Sequence, residues 1–476
     1  MLTIPLSAVQ HSSDVEVIGE LHASTEFRWI ERNSREVKPG DLFIAVRGEQ
    51  FDGHSFVPDA AGRGAAAALV SRRWYGEQEH AAPLPLLVVD DPVATLQQVA
   101  AARRETLGLS VVGITGSIGK TSTKEIVASV LSQRYATYRS PGNMNSEIGL
   151  PLSLLEMEPD TEVAVLEMGG AYAFGELTLL AEIAKPQYAV VTNVHPVHLE
   201  RMGTIEAIAK TKAELVEAIP ENGAAILNGD DHRVRAMAPL CRGRVLTYGL
   251  VAENDIWADR VETEGISGSS FRMHLGSESY HLKIPLVGGH AVELALAAIA
   301  VGHAVGMSVA EMIPGLHNPG IQVRLLLIDG PNGSRVIDDT YNASAPSVLS
   351  ALGLLKQIGG QRKIAVLGDM RELGVVTEEQ HRLVGRRVAE VVDELVTFGS
   401  LARIIADEAV DSARVEGRRL AVTSFELEER AEIVEFLLSE LREGDVALLK
   451  GSRGLKMEDF VVALQTAGGS GPESEA

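Results

Sequence analysis

The residues from 111 to 122 read V-V-G-I-T-G-S-I-G-K-T-S and combine a glycine-rich turn with a lysine and two hydroxyls. This pattern favours a phosphate-binding loop, because glycines let backbone N–H groups approach phosphate oxygens and a following helix N-terminus adds further N–H donors. We expect Lys120 to reach the outer phosphates of ATP or GTP and the Thr121 hydroxyl to ligate magnesium. Ile114 stands where the general pattern has glycine, so the loop has the shorter form T-G-x-x-G-K-T. The alternative is a plain glycine-rich turn between a strand and a helix.

The segments around this loop indicate how it would be positioned. An apolar run predicts a short buried strand over Ser110–Ile114, and a helical pattern follows the loop to about Leu131. From residue 109 to about 318, apolar runs alternate with amphipathic patterns such as Ile205–Ala218, which predicts a doubly wound, mostly parallel sheet with helices on both faces. The strands predicted in this region are Val163–Glu167, Tyr188–Thr192, Ala224–Asn228 and Val245–Tyr248.

The length of 476 residues is enough for about three domains. We expect domains at 1–108, 109–318 and 319–466, followed by a disordered polar tail at 467–476. The first domain mixes short strands with turns and ends in a predicted helix over Val93–Leu107. The third predicts a smaller, Rossmann-like α/β domain with strands near Lys363–Leu367, Leu395–Phe398 and Val446–Leu449.

Composition limits the classes of function. Acidic residues outnumber basic ones by 65 to 43, and the net charge of −22 argues against nucleic acid as a partner. The single cysteine, Cys241, excludes an intrachain disulfide and a cysteine-cluster metal site. The N-terminus lacks a signal-peptide pattern, and the apolar stretch Leu294–Val309 is too short to span a bilayer and predicts a buried helix. We therefore expect a cytoplasmic protein without membrane insertion.

Polar side chains end several predicted central strands, where ligands bind in an open parallel sheet. Glu167 is a candidate magnesium ligand, because a hard cation favours carboxylate oxygens; a helix-capping or solvated residue is the alternative. Asn193 and Asn228 end two further strands. His195 and His198 share a loop but lack the spacing of a zinc site.

Two motifs in the third domain are also candidates for a site. D-D-T-Y-N-A, over Asp338–Ala343, combines two carboxylates with tyrosine and asparagine; the alternative is an N-cap and turn before a helix at Ser347. K-G-S-R-G, over Lys450–Gly454, follows the last predicted strand and is suited to binding a carboxylate or phosphate. A solvated basic turn is the alternative there.

In their order along the chain, these motifs resemble the Mur ligases of peptidoglycan synthesis. The resemblance runs from about residue 30 to about residue 460 and begins with S-R-E-V-K-P-G-D-L-F-I-A-V-R-G-E-Q-F-D-G-H-S-F. T-G-S-I-G-K-T-S, P-G-N-M-N-S-E-I-G-L-P-L, L-E-M-G and V-V-T-N-V follow in the expected order. D-D-T-Y-N-A and L-G-D-M-R-E-L-G are similar to the branch that adds D-Ala-D-Ala to UDP-N-acetylmuramoyl-tripeptide. The D-N-P-R motif of the diaminopimelate-adding branch is missing from the sequence.

The resemblance implies an ATP-dependent amide ligase with a UDP-sugar-binding domain, a central ATP-binding domain and a C-terminal ligase domain. ATP and two Mg²⁺ ions would be its cofactors, UDP-N-acetylmuramoyl-tripeptide and D-Ala-D-Ala its partners, and we expect a monomer. The positions that match the family's nucleotide site are Thr115, Gly116, Ser117, Gly119, Lys120, Thr121, Ser122, Asn145, Arg324 and Asp339. The matching metal positions are Thr121, Glu167, His198 and Lys212, of which the last three are also catalytic positions together with Lys120. The matching substrate positions are Ser34, Arg35, Tyr341 and Asn342.

Lys212 aligns with the family's carbamoylated lysine, and Lys210 is a nearby competitor for that role. The modification makes chemical sense, because an ammonium group cannot ligate a cation whereas a carbamate presents anionic oxygens. The chain departs from the family at H-A-V-E-L-A, where Ala291 and Leu294 replace two asparagines on the adenine side. The sequence leaves open how the base is read and whether the tripeptide ends in lysine or diaminopimelate.

Three other functions compete with this interpretation. Another amide ligase of the superfamily, such as a folylpolyglutamate synthase, lacks a counterpart for the UDP-binding segment of the first domain. A nucleotide-gated switch or transport ATPase would carry N-K-x-D or L-S-G-G-Q, and neither follows the phosphate loop. A catalytically silent relative is disfavoured because Lys120, Glu167, His198 and Lys212 are all present.

Overall fold

The structure, a computed structural model, describes residues 3–48, 51–77, 82–170, 173–197, 199–263, 268–286, 289–317 and 326–468. The chain forms two compact units. The first unit comprises 1–113, 135–169 and 175–188, and the second unit comprises 114–134, 170–174 and 189–476. Two predicted site residues, His198 and Arg324, lie outside the described residues, as do residues 469–476 of the predicted tail. The tail was predicted to begin at residue 467, but Ala467 is the last residue of a helix.

The N-terminal part of the first unit is built around a five-stranded sheet. Its elements are β1 (Ile4–Pro5), α1 (Leu6–Ser12), β2 (Glu16–Ile18), β3 (Glu26–Phe27), β4 (Ile30–Glu31), β5 (Leu42–Ile44), α2 (Val57–Gly62), β6 (Ala67–Ser71), α3 (Arg72–Gly76), β7 (Leu86–Val89) and α4 (Pro92–Leu107). The sheet order is β2-β7-β6-β5-β4, and all neighbours are parallel except β2 and β7. The carboxylate of Asp91 caps α4 by accepting the Val93 N–H at 2.8 Å, and Gly108 ends the helix with a φ of +60°. The helix predicted before the phosphate loop is therefore confirmed.

The middle of the chain alternates strands and helices. Its elements are β8 (Ser110–Thr115), α5 (Lys120–Leu131), β9 (Thr137–Arg139), α6 (Gly149–Leu155), β10 (Val163–Glu167), α7 (Glu176–Ala184), β11 (Tyr188–Val191), α8 (Leu199–Met202), α9 (Ile205–Glu217), β12 (Ala224–Asn228), α10 (His232–Arg235), β13 (Arg244–Gly249), β14 (Ile256–Thr263), β15 (Ser269–Leu275), β16 (Glu278–Ile284), α11 (Gly289–Val305) and α12 (Val309–Leu316). Within the first unit the strand order is β8-β10-β9, and within the second it is β16-β15-β14-β13-β12-β11-β8. The predicted central strands and the helix after the loop are confirmed.

Two features of this region differ from the sequence-based expectation. Strands β14, β15 and β16 were not predicted, and β15 runs antiparallel to both of its neighbours. The buried helix predicted over Leu294–Val309 is confirmed as far as Val305, where α11 ends, but it does not continue, because α12 begins separately at Val309. Gly306 adopts a left-handed φ of +95° between them, and Ser308 starts the second helix with a capping box. No helix in the described parts of the chain is long and apolar enough to cross a membrane.

The C-terminal part of the second unit is a six-stranded sheet with helices on both faces. Its elements are β17 (Leu326–Asp329), β18 (Arg335–Asp338), α13 (Ala345–Gln357), β19 (Lys363–Gly368), α14 (Thr377–Val391), β20 (Glu394–Phe398), α15 (Ala402–Val415), β21 (Ala421–Phe425), α16 (Arg430–Glu440), β22 (Val446–Lys450) and α17 (Glu458–Ala467). The order is β17-β18-β22-β19-β20-β21, parallel apart from β17. Alternate residues of β19 enter separate hydrophobic clusters, Ala365 and Leu367 in one and Ile364 and Val366 in the other. The Rossmann-like third domain is therefore confirmed as a fold.

One arginine joins several elements of this sheet. The guanidinium of Arg362 lies 3.0 Å from Glu394, 2.6 Å from Glu440 and 2.8 Å from Asp445. Glu394 and Asp445 are buried, so Arg362 balances carboxylates that have little access to water.

Candidate active site

The phosphate loop joins β8 to α5 and depends on two glycines. Gly116 has a φ of +147° and Gly119, the N-cap of α5, has a φ of +82°. A Cβ at Gly116 would lie 1.9 Å from the Thr192 hydroxyl, and one at Gly119 would lie 3.3 Å from the His290 ring. Both glycines are therefore favoured by backbone conformation, and Gly116 is also required by space.

The segment after β11 holds this loop from the side. The Ser117 hydroxyl donates to the His195 carbonyl at 3.1 Å and accepts the His195 N–H at 2.9 Å. The side chain of Asn193 accepts the Ile118 N–H at 2.9 Å and donates to the Ile118 carbonyl at 3.1 Å. The Thr192 hydroxyl donates to the same carbonyl at 2.7 Å. Asn193, noted as a strand-end residue, thus supports the loop.

Lys120 follows the glycines at the first turn of α5. Its ammonium donates to the Gly116 carbonyl at 2.8 Å and to the Ser117 carbonyl at 3.3 Å. Lys120 and Thr121 are half-buried, whereas Thr115 and Ser122 are buried. The predicted nucleotide residues of this loop are thus together, with backbone N–H groups and one cation at the start of a helix.

Polar residues at the end of β12 and just after it form hydrogen bonds to residues 192–194. These residues belong to the segment that supports the phosphate loop. The Asn228 amide donates to the Thr192 carbonyl at 2.9 Å. One oxygen of Asp231 accepts the Val194 N–H at 2.7 Å, and the other caps α10 by accepting the Arg233 N–H at 2.9 Å. Sequence reasoning noted N-G-D-D only as a strand end, since its partner lies more than thirty residues away.

The carboxylate of the neighbouring Asp230 accepts hydrogen bonds from a different segment of the chain. Its carboxylate accepts the Leu250 N–H at 2.6 Å and the Asn254 amide at 2.8 Å. The two adjacent aspartates therefore anchor different backbone segments, and only Asp231 is linked to the phosphate-loop support.

The predicted adenine-side segment lies against the phosphate loop. The His290 ring and the Leu294 side chain, at 3.8 Å, are the neighbours that a Cβ on Gly119 would meet. Ala291 and Leu294 are buried. Burial lowers the pKa of His195, which lies in the same region of the second unit, and the carboxylates of Asp231 and Glu293 oppose that effect.

Lys212 and Lys210 differ clearly in their surroundings. Both lie on α9, which begins after Thr204 caps it by accepting the Ala207 N–H. Lys212 is buried and its ammonium lies 3.5 Å from the Gly170 carbonyl. Lys210 is exposed and its ammonium lies 4.5 Å from the centre of the Phe174 ring. A group on Lys212 would thus be shielded from solvent, whereas one on Lys210 would not.

In the first unit, Glu167 ends β10 as a buried carboxylate. Its Oε1 accepts the Asn145 amide at 2.7 Å, and its backbone N–H donates to the Ser140 hydroxyl at 3.2 Å. The two predicted residues Glu167 and Asn145 are therefore in direct contact. The solvated alternative for Glu167 does not fit, because the side chain is only 2% exposed.

Arg35 lines a cleft of about 430 Å³ on the first unit. Ser34, its neighbour in sequence, is buried. The cleft carries basic, aromatic and acidic groups: Arg28, Trp29, Glu31, Arg35, Glu36 and Lys38. Arg28 is fixed there by the buried carboxylate of Asp41 at 2.7 Å.

The two candidate motifs of the third domain meet at the carboxyl ends of β18 and β22. The ammonium of Lys450 lies 2.6 Å from Asp339, and both residues are buried. Lys450 also donates to the Asn342 carbonyl at 2.8 Å, and Arg453 donates to the Tyr341 hydroxyl at 3.3 Å. The pairing follows from the sheet order, which makes β18 and β22 parallel neighbours.

The alternative interpretations of these two motifs hold in part. Ser344 does cap a helix after D-D-T-Y-N-A, although α13 begins at Ala345 rather than Ser347. The K-G-S-R-G turn is not simply solvated, because Lys450 and Ser452 are buried. The hydroxyl of Ser452, the serine of this motif, accepts the Arg371 N–H at 2.9 Å, a contact that the sequence did not predict.

The described residues contain no cluster of three or more histidine, cysteine, aspartate or glutamate side chains suited to a metal. His198, one of the predicted metal positions, lies outside the residues to which this statement applies.

Comparison with known proteins gives matches along most of the chain. Residues 26–104 match "Mur ligase family, catalytic domain", 114–302 match "Mur ligase middle domain" and 323–453 match "Mur ligase, glutamate ligase domain". The chain is 36% identical to the UDP-N-acetylmuramoyl-tripeptide–D-alanyl-D-alanine ligase of Bacillus subtilis, over 92% of this chain and 93% of that protein.

Solved structures give the same result. MurF from Acinetobacter baumannii matches with a TM-score of 0.84 and 29% identity, over 98% of this chain and 99% of that one. MurF ligase from Thermotoga maritima in complex with ADP matches with a TM-score of 0.77 and 30% identity, over 93% and 98%. The fold expected from the sequence is confirmed, and the chain belongs to the Mur ligase family.

Proposed function

We propose that this chain is an ATP-dependent amide ligase that joins D-Ala-D-Ala to UDP-N-acetylmuramoyl-tripeptide during peptidoglycan precursor synthesis. The observation that carries this proposal is the 36% identity, along nearly the whole length of both chains, to a relative named for that reaction. The Thermotoga relative was solved with ADP, which supports ATP as the nucleotide. The family matches also support domain boundaries near residues 108 and 318.

The proposed reaction has two steps. A carboxylate oxygen of the tripeptide attacks the γ-phosphorus of ATP, which releases ADP and leaves an acyl phosphate. The free amine of D-Ala-D-Ala then attacks the acyl carbon, loses a proton and expels inorganic phosphate, forming the amide. Catalysis of this kind depends on positioning and on neutralising phosphate charge. The preorganised loop over Thr115–Ser122 and the ammonium of Lys120 supply both functions.

Mg²⁺ would neutralise phosphate charge when bound. The Thr121 hydroxyl and the buried Glu167 carboxylate are oxygen donors of the kind that Mg²⁺ prefers. Glu167 keeps one oxygen oriented by Asn145, which would hold it ready as a ligand. We assign His198 and Arg324 to metal and nucleotide binding on the family resemblance alone.

Lys212 is the proposed carbamoylated lysine. Lys212 is buried, and it lies one helical turn from the buried Ile208 on α9. Both observations support a modified side chain that is protected from hydrolysis. Lys212→Ala is expected to abolish most activity, and added bicarbonate should not restore it. Full activity of this variant would contradict the assignment. Lys210→Ala is the matched control and should retain activity, because that lysine is exposed.

The cleft at Arg35 is the proposed contact for the UDP moiety. Arg28 and Lys38 add positive charge, and Trp29 adds an aromatic surface, so the lining suits a diphosphate linked to a base. We place Ser34 and Arg35 in this role, and Tyr341 and Asn342 with the second substrate.

Phosphate release tests the proposal directly. The purified chain, incubated with ATP, Mg²⁺ and UDP-N-acetylmuramoyl-tripeptide, should release inorganic phosphate only after D-Ala-D-Ala is added. Parallel reactions with lysine-containing and diaminopimelate-containing tripeptides would identify the third residue. Phosphate release that is independent of the dipeptide, or turnover only with glutamate as acceptor, would overturn the assignment. The cytoplasmic location and the monomeric state remain predictions.

A further inference from the structure

Arg371 and Arg453 of the third domain meet at the same turn, and neither has a carboxylate partner among the described residues. Arg371 follows β19 and Arg453 follows β22, which are parallel neighbours in the sheet. Neither forms an ion pair with any residue that the structure describes. Most other arginines of this domain do: Arg362, Arg382, Arg386, Arg387, Arg403, Arg414, Arg430 and Arg442. Because the chain has a net charge of −22, two neighbouring arginines that pair with no carboxylate in the described ranges are an unusual local feature.

The surrounding residues hold Arg453 in place. Its guanidinium lies 5.1 Å from the centre of the Tyr341 ring, and its Nη1 donates to the Tyr341 hydroxyl at 3.3 Å. Its backbone N–H points at the Asn342 side chain, at 3.4 Å. Arg453 is nonetheless exposed, so the remaining guanidinium donors are accessible.

Arg371 is brought to the same turn. Its backbone N–H donates to the Ser452 hydroxyl at 2.9 Å. A Cβ at Gly454 would lie 3.1 Å from Arg371 Nη1, so glycine at that position leaves room for the guanidinium beside the turn. Both cations therefore border the K-G-S-R-G turn.

The nearby carboxylates are engaged elsewhere. Asp339 is paired with Lys450 at 2.6 Å, and Asp369 accepts the Ala402 N–H at 2.8 Å. Asp338 accepts the Thr340 hydroxyl at 2.7 Å. The charge of the two arginines is thus left for a ligand, and the fork of a guanidinium fits a carboxylate through two parallel hydrogen bonds.

We propose that Arg453, assisted by Arg371, binds the C-terminal carboxylate of D-Ala-D-Ala. This inference rests on the proposed function and names a binding site for its second substrate. The dipeptide has one amine, which reacts, and one carboxylate, which must be held away from the acyl phosphate. The carboxyl end of the third-domain sheet is where an open α/β sheet binds its ligand. Tyr341 and Asn342, the expected substrate residues, are the ones that hold Arg453.

The test compares D-Ala-D-Ala with its C-terminal amide, which lacks the negative charge. For the unmodified chain, kcat/KM should be about 10- to 100-fold higher for the acid than for the amide, the range expected for a charge-assisted hydrogen bond. In Arg453→Gln this preference should nearly vanish, while the KM values for ATP and UDP-tripeptide stay within about twofold. Arg453→Lys should retain part of the preference, and Arg371→Gln should reduce it less than Arg453→Gln.

Arg403→Gln is the matched control, because it removes the same charge from an arginine of the same domain that is paired with Glu426. It should leave the acid preference unchanged. Equal acid preference in the unmodified chain and in Arg453→Gln would overturn this site and leave the proposed function standing. A rise in KM for UDP-tripeptide alone would assign the arginines to the tripeptide carboxylate instead and overturn the dipeptide assignment. Failure of the unmodified chain to turn over the acid would overturn the proposed function and this site with it.

Discussion

The substitution Asp231→Asn separates the two tasks of one carboxylate. Asparagine keeps an oxygen that can accept the Arg233 N–H and cap α10, so the local helix start should survive. The other oxygen, which accepts the Val194 N–H at 2.7 Å, is replaced by an NH₂ group that cannot accept it. The variant should therefore loosen the segment that holds Ser117 and Ile118 while it leaves α10 in place.

The size of the effect follows from the burial of Val194, which is 2% exposed. A buried N–H group without an acceptor costs about 1–3 kcal/mol. Full transmission of that cost to the phosphate loop would weaken ADP binding by roughly 5- to 150-fold. Because Asn193, Thr192 and His195 still hold the loop, we expect a loss near the lower end, about tenfold.

Isothermal titration with ADP measures this change. Asp230→Asn is the matched control, since the Asp230 carboxylate accepts the Leu250 N–H and forms no hydrogen bond with the described residues of the segment that supports the loop. Both variants should lose some thermal stability, but only Asp231→Asn should bind ADP more weakly. Equal ADP affinity in Asp231→Asn and the unmodified chain would refute the reasoning, as would an equal loss of affinity in both variants.

Three further predictions concern other positions. Gly116→Ala should weaken ADP binding by more than about tenfold in the same titration, because the new Cβ would lie 1.9 Å from the Thr192 hydroxyl; unchanged affinity would contradict the loop geometry. Arg362→Met should lower the free energy of unfolding in urea by about 3 kcal/mol, because three carboxylates lose their shared cation; a change below about 1 kcal/mol would be incompatible with that role. Burial lowers the pKa of His381, whose Nε2 accepts the Met370 N–H, so the unfolded chain takes up this proton first and stability should fall as the pH drops below about 6.5. His381→Gln should reduce that fall in thermal melts between pH 7 and pH 5, and identical pH profiles would count against it.

The sequence predicted the phosphate loop and its flanking elements because the signals there are local. The apolar run of β8, the glycines and the helical period of α5 lie within about twenty residues, and each favours the same structure. The ends of β10 and β12 were placed correctly for the same reason. The strands β14–β16 were missed because polar and charged side chains interrupt their apolar pattern, as in I-W-A-D-R-V-E-T and E-S-Y-H-L-K-I.

The sequence predicted many residues of the candidate site but not the hydrogen bonds and ion pairs that connect them. Lys120 and Gly119 could be assigned from spacing, whereas the bonds from Asp231 to Val194 and from Asn193 to Ile118 join segments tens of residues apart. The contact between Lys450 and Asp339 required the strand order of the third domain. The break of the apolar stretch at Gly306 was missed because hydropathy alone does not register a left-handed residue.

The C-terminal end of α5 packs so closely against Gly315 that this position has no space for a side chain. A Cβ at Gly315 would lie 2.5 Å from Val130 Cα, and the Ser129 hydroxyl donates to the Gly315 carbonyl at 2.8 Å. Val130 lies ten residues beyond Lys120, about 15 Å along the helix axis. A helix is stiff over that distance, so α5 moves as a rigid unit, and a displacement of its C-terminal end also displaces its N-terminal end. A methyl group added at Gly315 would push on that end and tilt the phosphate loop, which makes this position sensitive for nucleotide binding although it touches no part of the site.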